Sequence, residues 1–211
     1  VFQTNRGCPF ACTFCDWGSA TLQKIYQFSM ERVFQEIEWV GQHEVSRLFI
    51  ADANFGIFER DVAIAEKICE VQSKYGYPRD VILNYAKNAT SRLADIVRNF
   101  SRAKLTAVGV IAIQTHDPTT LTNVDRSNIK TERYEELIEI FRAEGLPVAS
   151  DLLIGLPGST IASFKKDLQF FVDRQVHTVA YPLTVLPNSP MGERSYLEKF
   201  GIKLDEHGHV I

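Results

Sequence analysis

Cys8-Pro9-Phe10-Ala11-Cys12-Thr13-Phe14-Cys15 follows a short apolar strand and a glycine, and it sets three cysteines at C-x3-C-x2-C spacing. The only other cysteine in the chain is Cys69. Three thiolates on one tight loop can ligate three irons of a 4Fe–4S cluster, because such clusters are held by cysteine thiolates. The fourth iron then has no protein ligand and stays open to a small molecule, and a metal with an open position is a reactive one. A structural zinc loop is the competing reading, but zinc takes four ligands, often as two C-x2-C pairs. A disulfide is also disfavoured, since three clustered cysteines leave one unpaired.

The chain around this loop has 211 residues, 45% of them hydrophobic, so it can bury a sizeable core. Its 23 basic and 26 acidic residues give a formal charge of -3, which implies no general field for nucleic acid or membrane. No run of eighteen apolar residues marks a membrane span, and no signal peptide is visible. Few cysteines and an oxygen-sensitive cluster fit a cytoplasmic location. Val1-Phe2-Gln3-Thr4 reads as a strand already under way, and His207-Gly208-His209-Val210-Ile211 as an interrupted end. The expectation is one domain over residues 1–211, excised from a longer chain.

Apolar runs alternate with amphipathic stretches. Strands are predicted at 1–4, 47–51, 81–85, 105–113, 147–154 and 178–184. Helices are predicted at 30–43, 60–75, 90–101, 130–144 and 160–174. The first of these helices has Val33, Ile37 and Val40 on one face, with Ser29 as its cap. Gly145 and Pro147 end the fourth. Six βα-like steps imply a parallel sheet with helices outside. A complete barrel of this kind takes eight steps. Six leave either a partial barrel or an open doubly wound sheet, and in both the ligand loops follow the carboxyl ends of the strands.

The cysteine loop resembles the signature of the radical S-adenosylmethionine enzymes, with Phe14 as the aromatic residue before the third cysteine. The resemblance spans nearly all of the chain. It is sharpest in the loop and in Asp151-Leu152-Leu153-Ile154-Gly155-Leu156-Pro157-Gly158, which is similar to a segment of coproporphyrinogen-oxidase-like and cobalamin-type members. It implies a partial (β/α)6 TIM-like barrel, α/β in class. It also implies a 4Fe–4S cluster on Cys8, Cys12 and Cys15, and S-adenosylmethionine on the open iron. One electron from the reduced cluster would break the C–S bond of the sulfonium and yield a 5′-deoxyadenosyl radical.

Polar residues at the predicted strand ends are the candidate cosubstrate contacts. Asp52 and Asn54 stand where the family often binds the amino group of S-adenosylmethionine, although the letters match poorly; an Asx turn is the alternative. Lys87 is a candidate for a carboxylate or substrate contact, or a merely solvated side chain. Gln114, Leu121 and Arg126 keep the spacing of a family pattern, with Ala112 and Thr115 in place of its Gly and Ser. By resemblance Gln114 faces the nucleoside. Arg126 pairs with the cosubstrate carboxylate, a task suited to a planar fork; a surface charge is the alternative. Asp151 would accept from a ribose hydroxyl or, alternatively, pair with Arg126, since a carboxylate in an apolar strand is costly without a partner. Leu183 to Met191 is similar to a segment whose backbone touches adenine.

Cys15-Asp16-Trp17-Gly18 and Phe49 to Phe55 resemble the cobalamin-dependent class. That implies an upstream cobalamin-binding domain in the full-length protein, and methyl transfer to an unactivated carbon. It also implies a small-molecule or peptide substrate and a one-electron reductant such as flavodoxin or ferredoxin. A cyclase or rearrangement catalyst on the same core, and a non-catalytic Fe–S carrier or zinc module, are the other readings. Asp151, Gln114, Arg126 and the lack of a fourth nearby cysteine weigh against the last.

Overall fold

The computed structural model of the chain describes residues 1–86 and 90–210. In chain order its elements are β1 (Asn5–Arg6), α1 (Asp16–Ser19), β2 (Tyr26–Gln27), α2 (Met30–Gln42), β3 (Arg47–Phe55), α3 (Arg60–Tyr75), β4 (Asp80–Tyr85), α4 (Thr90–Arg102), β5 (Thr106–Val110), α5 (Pro118–Asn123), α6 (Thr131–Ala143), β6 (Val148–Ile154), α7 (Ile161–Asp173), β7 (His177–Pro182) and α8 (Arg194–Phe200). Strands and helices alternate as the sequence pattern predicts. The contacts gather into two compact units. One comprises residues 1–6, 26–111 and 129–149, the other residues 7–25, 112–128 and 150–211. Among the described residues no helix is long and apolar enough to cross a membrane.

In the first unit β3, β4, β5 and the start of β6 pair in that order, all parallel. The predicted first strand contracts to a single parallel bridge, Phe2 to Ile50, closed by Phe2 N–H to the Phe49 carbonyl at 2.8 Å. Immediately after it β1 turns aside to pair antiparallel with β2. Helix α2 buries Val33, Ile37 and Val40, the apolar face that helical periodicity predicts; of Val62, Ile64, Ala65 and Ile68, expected inward on α3, the last three are buried together with Val71, and Val62 is half-buried. Ser29 caps α2 by accepting from the Arg32 N–H at 3.3 Å. Gly76 ends α3 in the left-handed conformation that a residue without Cβ adopts at least cost.

Strand β3 runs four residues past its expected end at Ala51. Leu48, Ile50, Asp52 and Asn54 are buried on one face in the two-residue period of a strand, with a register irregularity between Ile50 and Phe55. Asp52 and Asn54 therefore lie within the strand, and no Asx turn closes it at Ala51. The Asp52 carboxylate accepts from the Thr4 and Asn5 backbone N–H groups at 2.8 and 3.3 Å, from Asn5 Nδ2 at 2.8 Å and from Thr4 Oγ1. Burial raises its pKa, and these donors oppose the shift. Arg60 adds bonds to the Thr4 and Phe28 carbonyls, both at 2.7 Å.

The second unit contains α1, α5, the end of β6, α7, β7 and α8. Its core joins Val124, Leu156, Leu183, Val185 and Met191, with Phe14, Tyr196, Leu197 and Val210 packed against them. A capping box between Thr160 and Ser163 starts α7. The last residues fold back on β7's exit, with Val185 N–H bonded to the Gly208 carbonyl at 2.8 Å. The sequence pattern did not signal α1, α5 or α8, which have four, six and seven residues and are too short to show a period.

Asp61, on the first turn of α3, is wholly buried. One oxygen accepts from the Gly56 and Phe58 N–H groups at 2.8 and 3.0 Å, and the other has no hydrogen-bond partner among the described residues. Burial pushes its carboxyl up to about 6. In the unfolded chain an Asp titrates near 3.9, so between those values the folded state keeps a proton that the unfolded state releases. The stability that this carboxyl contributes is therefore fully present below about pH 4 and is lost as pH rises through 6, by an amount on the order of 3 kcal/mol. From pH 4 to 7 the midpoint of thermal unfolding of the native protein should fall relative to that of Asp61→Asn, which keeps the acceptor without the charge. Parallel pH profiles of the two proteins would show that this carboxyl is not the source.

Candidate functional site

The three cysteines sit on the loop between Gly7 and α1, and no cysteine of the described residues forms a disulfide. The loop is a tight one, with Cys15 N–H bonded to the Cys12 carbonyl at 3.1 Å. Burial raises the Cys15 thiol, the Trp17 N–H opposes that, and Cys8 and Cys12 add to the rise. The three sulfurs thus share one electrostatic neighbourhood, in which thiolates repel each other unless a cationic centre joins them. Among the described residues no group of three or more His, Cys, Asp or Glu side chains is arranged around a single metal ion. Thiols spread along one loop suit separate irons of a cluster.

Thr13 fixes the middle of the loop. Its N–H donates to the Val124 carbonyl at 3.0 Å, its carbonyl accepts from Met191 N–H at 2.8 Å, and its hydroxyl lies 3.0 Å from the Tyr196 hydroxyl. Tyr196 also donates to the Asn123 carbonyl at 2.7 Å. Gly18, just past the third cysteine, packs so closely that an added Cβ would strike the Phe10 carbonyl oxygen. Its place in the cysteine segment therefore has a steric reason.

Arg126 follows α5 and is buried, 8% exposed. Its Nε donates to Asn128 Oδ1 at 2.8 Å, its Nη2 to the Ala112 carbonyl at 2.5 Å, and its Nη1 reaches Cys12 Sγ at 3.7 Å. The guanidinium carbon lies 5.9 Å from the centre of the Phe14 ring. Burial lowers its pKa, and Cys12, Cys15 and Cys8 oppose that shift. Among the described residues it forms no ion pair with a carboxylate, so neither the surface charge nor the Arg126–Asp151 bridge is what the structure contains.

Gln114 lies beyond β5, which ends at Val110, earlier than the predicted 113. It takes φ 69, a conformation costing a non-glycine residue roughly 1–2 kcal/mol. An isolated parallel bridge to Leu152 anchors it, with Gln114 N–H to the Asp151 carbonyl at 2.8 Å and Leu153 N–H to the Gln114 carbonyl at 3.1 Å. Its Oε1 is buried without a hydrogen-bond partner among the described residues. Asp151, within β6, is half-buried; burial raises its pKa, and its carboxylate has no partner among the described residues. Of the two, Gln114 Oε1 is the buried polar atom left without a partner among the described residues.

The second unit thus contains Cys8, Cys12, Cys15, Phe14, Gln114, Arg126 and Asp151, whereas Asp52 and Asn54 belong to the first. The Asp52 oxygens are taken up by Thr4 and Asn5. Lys87 lies outside the described residues. Sequence reading missed Asn128, Thr13 and Tyr196. Asn128, two residues beyond Arg126, carried a faint signal, but nothing local marks Tyr196, which reaches Thr13 across 183 positions.

Comparison with known proteins adds to this geometry. The model of the Radical SAM superfamily matches residues 2–171. The chain is 38% identical over 205 residues to the cobalamin-dependent radical SAM methyltransferase TokK of Streptomyces tokunonensis, covering 96% of this chain and 30% of that protein. It is 34% identical to 2-(S-pantetheinyl)-carbapenam-3-carboxylate methyltransferase of Streptantibioticus cattleyicolor, with the same coverage. The chain spans about 30% of the length of these two curated relatives. Among solved structures, the radical S-adenosylmethionine methyltransferase TsrM of Kitasatospora setae, with tryptophan and a cosubstrate analogue bound, superposes with a TM-score of 0.80 at 16% identity, over 96% of this chain and 39% of that one. That likeness bears out the expected fold class, α/β with parallel strands and outer helices, of the partial TIM-like kind.

Removing the Tyr196 hydroxyl should loosen the loop without unfolding the protein. Tyr196→Phe loses both hydroxyl contacts and should cost about 1–2 kcal/mol in denaturant-induced unfolding, with an unchanged far-ultraviolet dichroism spectrum. A midpoint equal to that of the native protein would remove this contact from the account.

Proposed function

Because the chain belongs to the radical S-adenosylmethionine superfamily, we propose that its cysteine loop carries a 4Fe–4S cluster and that the chain is the core of a cobalamin-dependent methyltransferase. The observation that carries the cluster site is a buried Arg126 with, among the described residues, no carboxylate paired to it, set against three thiols on one loop. Three thiolates on an iron–sulfur core leave the centre negative, and a buried guanidinium is the charge that such a centre accommodates. Cys8, Cys12 and Cys15 hold three irons and leave the fourth position open. The Gln114 Oε1 and the Asp151 carboxylate, both without a partner among the described residues, fit a nucleoside cosubstrate with amine and hydroxyl donors.

When bound, the reduced cluster supplies the electron that cleaves the sulfonium of S-adenosylmethionine. The residues of this chain bind and orient. Arg126 offers its unused N–H groups to the cosubstrate carboxylate, Asp151 accepts from a ribose hydroxyl, and Gln114 takes a donor of the nucleoside. Asp52 holds Thr4 and Asn5, the residues that precede the loop in the chain. The names of the two curated relatives support methyl transfer, and the first supports cobalamin. Both are far longer than this chain, which supports a cobalamin-binding segment elsewhere in the full-length protein. The substrate is a small molecule, and the electron comes from a one-electron carrier such as flavodoxin or ferredoxin.

Full-length protein reconstituted with iron and sulfide without oxygen, then reduced with dithionite, should convert S-adenosylmethionine to 5′-deoxyadenosine. Cys12→Ala should make none, and turnover in that variant at the native rate would contradict the assignment. Asp151→Ala should retain native iron content and bind S-adenosylmethionine about tenfold more weakly, the loss of one or two hydrogen bonds. Unaltered affinity takes Asp151 out of the site. Failure of the full-length protein to retain cobalamin would leave the radical core and remove the methyl transfer.

A further inference from the structure

Arg126 is held by more contacts than an anchor for a cosubstrate carboxylate needs. The bonds from Nε to Asn128 Oδ1 and from Nη2 to the Ala112 carbonyl fix the plane of the guanidinium and aim Nη1 at Cys12 Sγ. Asn128 is fixed in turn. Its Nδ2 donates to the Ile113 carbonyl at 3.0 Å and to the Thr115 carbonyl at 2.7 Å, the two carbonyls that flank Gln114. One amide side chain therefore ties the guanidinium to the backbone on either side of the strained Gln114.

We propose that Arg126 tunes the cluster through an N–H···S contact to the Cys12 sulfur, and that Asn128 is the positioning residue that holds it there. The inference rests on the reading that the three cysteines carry a 4Fe–4S cluster. Reduction adds negative charge to the cluster, and a cation or a hydrogen bond at a ligand sulfur stabilises that charge and raises the reduction potential. The guanidinium keeps its charge at all working pH values, and burial leaves little water to screen it. Of its five N–H groups three are directed at Asn128, Ala112 and Cys12, so two remain for a carboxylate. The two roles are compatible, and they separate in experiment. An anchor acts only when cosubstrate is present, whereas a tuning group changes the cluster in its absence.

The test is a potentiometric titration of the cluster, followed by electron paramagnetic resonance, in full-length protein without S-adenosylmethionine. Iron and sulfide content are measured in each sample. Relative to native protein, Arg126→Gln should lower the reduced-to-oxidised ratio at a fixed potential about tenfold, which for a one-electron couple is about 59 mV. Arg126→Lys keeps the charge without the fork and should lie between the two. Asn128→Ala, with Arg126 still present but no longer oriented, should shift in the same direction by less. A native potential in cluster-loaded Arg126→Gln overturns the proposal. If that variant takes up no iron, Asn128→Ala decides, and a native potential there overturns it. Native protein that takes up no cluster overturns the underlying assignment instead.

Discussion

A guanidinium taken out of water and placed against sulfur is the constraint around which the second unit is arranged. Burying an unpaired charge is costly, and Arg126 has neither solvent nor, among the described residues, a carboxylate to offset it. Its three polar partners are a side-chain amide, a carbonyl and a thiol. The cysteines have the complementary difficulty, since three thiolates together repel one another and burial pushes the Cys15 thiol up. Each half of the site is unfavourable alone, and the proposed cluster, ligated by the thiolates beside the cation, would resolve both.

That arrangement requires a loop with little freedom. Thr13 spends its N–H, carbonyl and hydroxyl on three different segments, while Phe14 packs into the apolar cluster around Val124, Leu183 and Met191. Gly18 lets α1 approach the Phe10 carbonyl more closely than any side chain allows. In the first unit, Asp52 and Arg60 do comparable work on Thr4, gripping its donors and its carbonyl in turn. Asp52 thus holds Thr4 and Asn5, the residues that precede the loop in the chain.

Much of this was legible in the residues. The faces of α2 and α3 follow from apolar spacing at the helical period, and the structure buries Val33, Ile37, Val40, Ile64, Ala65 and Ile68 accordingly. The strands were harder. Asp52 and Asn54 interrupt the apolar run of β3 and suggest an end, yet the strand continues to Phe55, with Asp52 bonded to Thr4 and Asn5. β5 stops at Val110 although its apolar composition continues through residues 111–113; those three lie outside the strand, and Gln114, with a positive φ, rejoins the neighbouring strand at Leu152. The first strand reduces to Phe2, since Asn5 and Arg6 pair instead with Tyr26 and Gln27.

The amino-acid sequence by itself determined the spacing of the three cysteines and the alternation of strands and helices. Thiolate spacing is a local property, and so is the period that makes one face of a segment apolar. Tertiary structure alone decided which polar groups face one another: Arg126 toward Cys12, Tyr196 against Thr13, Asn128 between Arg126 and the carbonyls beside Gln114. Those pairings depend on where distant backbone segments come to rest, and a hydrogen bond of three ångströms leaves no trace in the composition of either partner's neighbourhood.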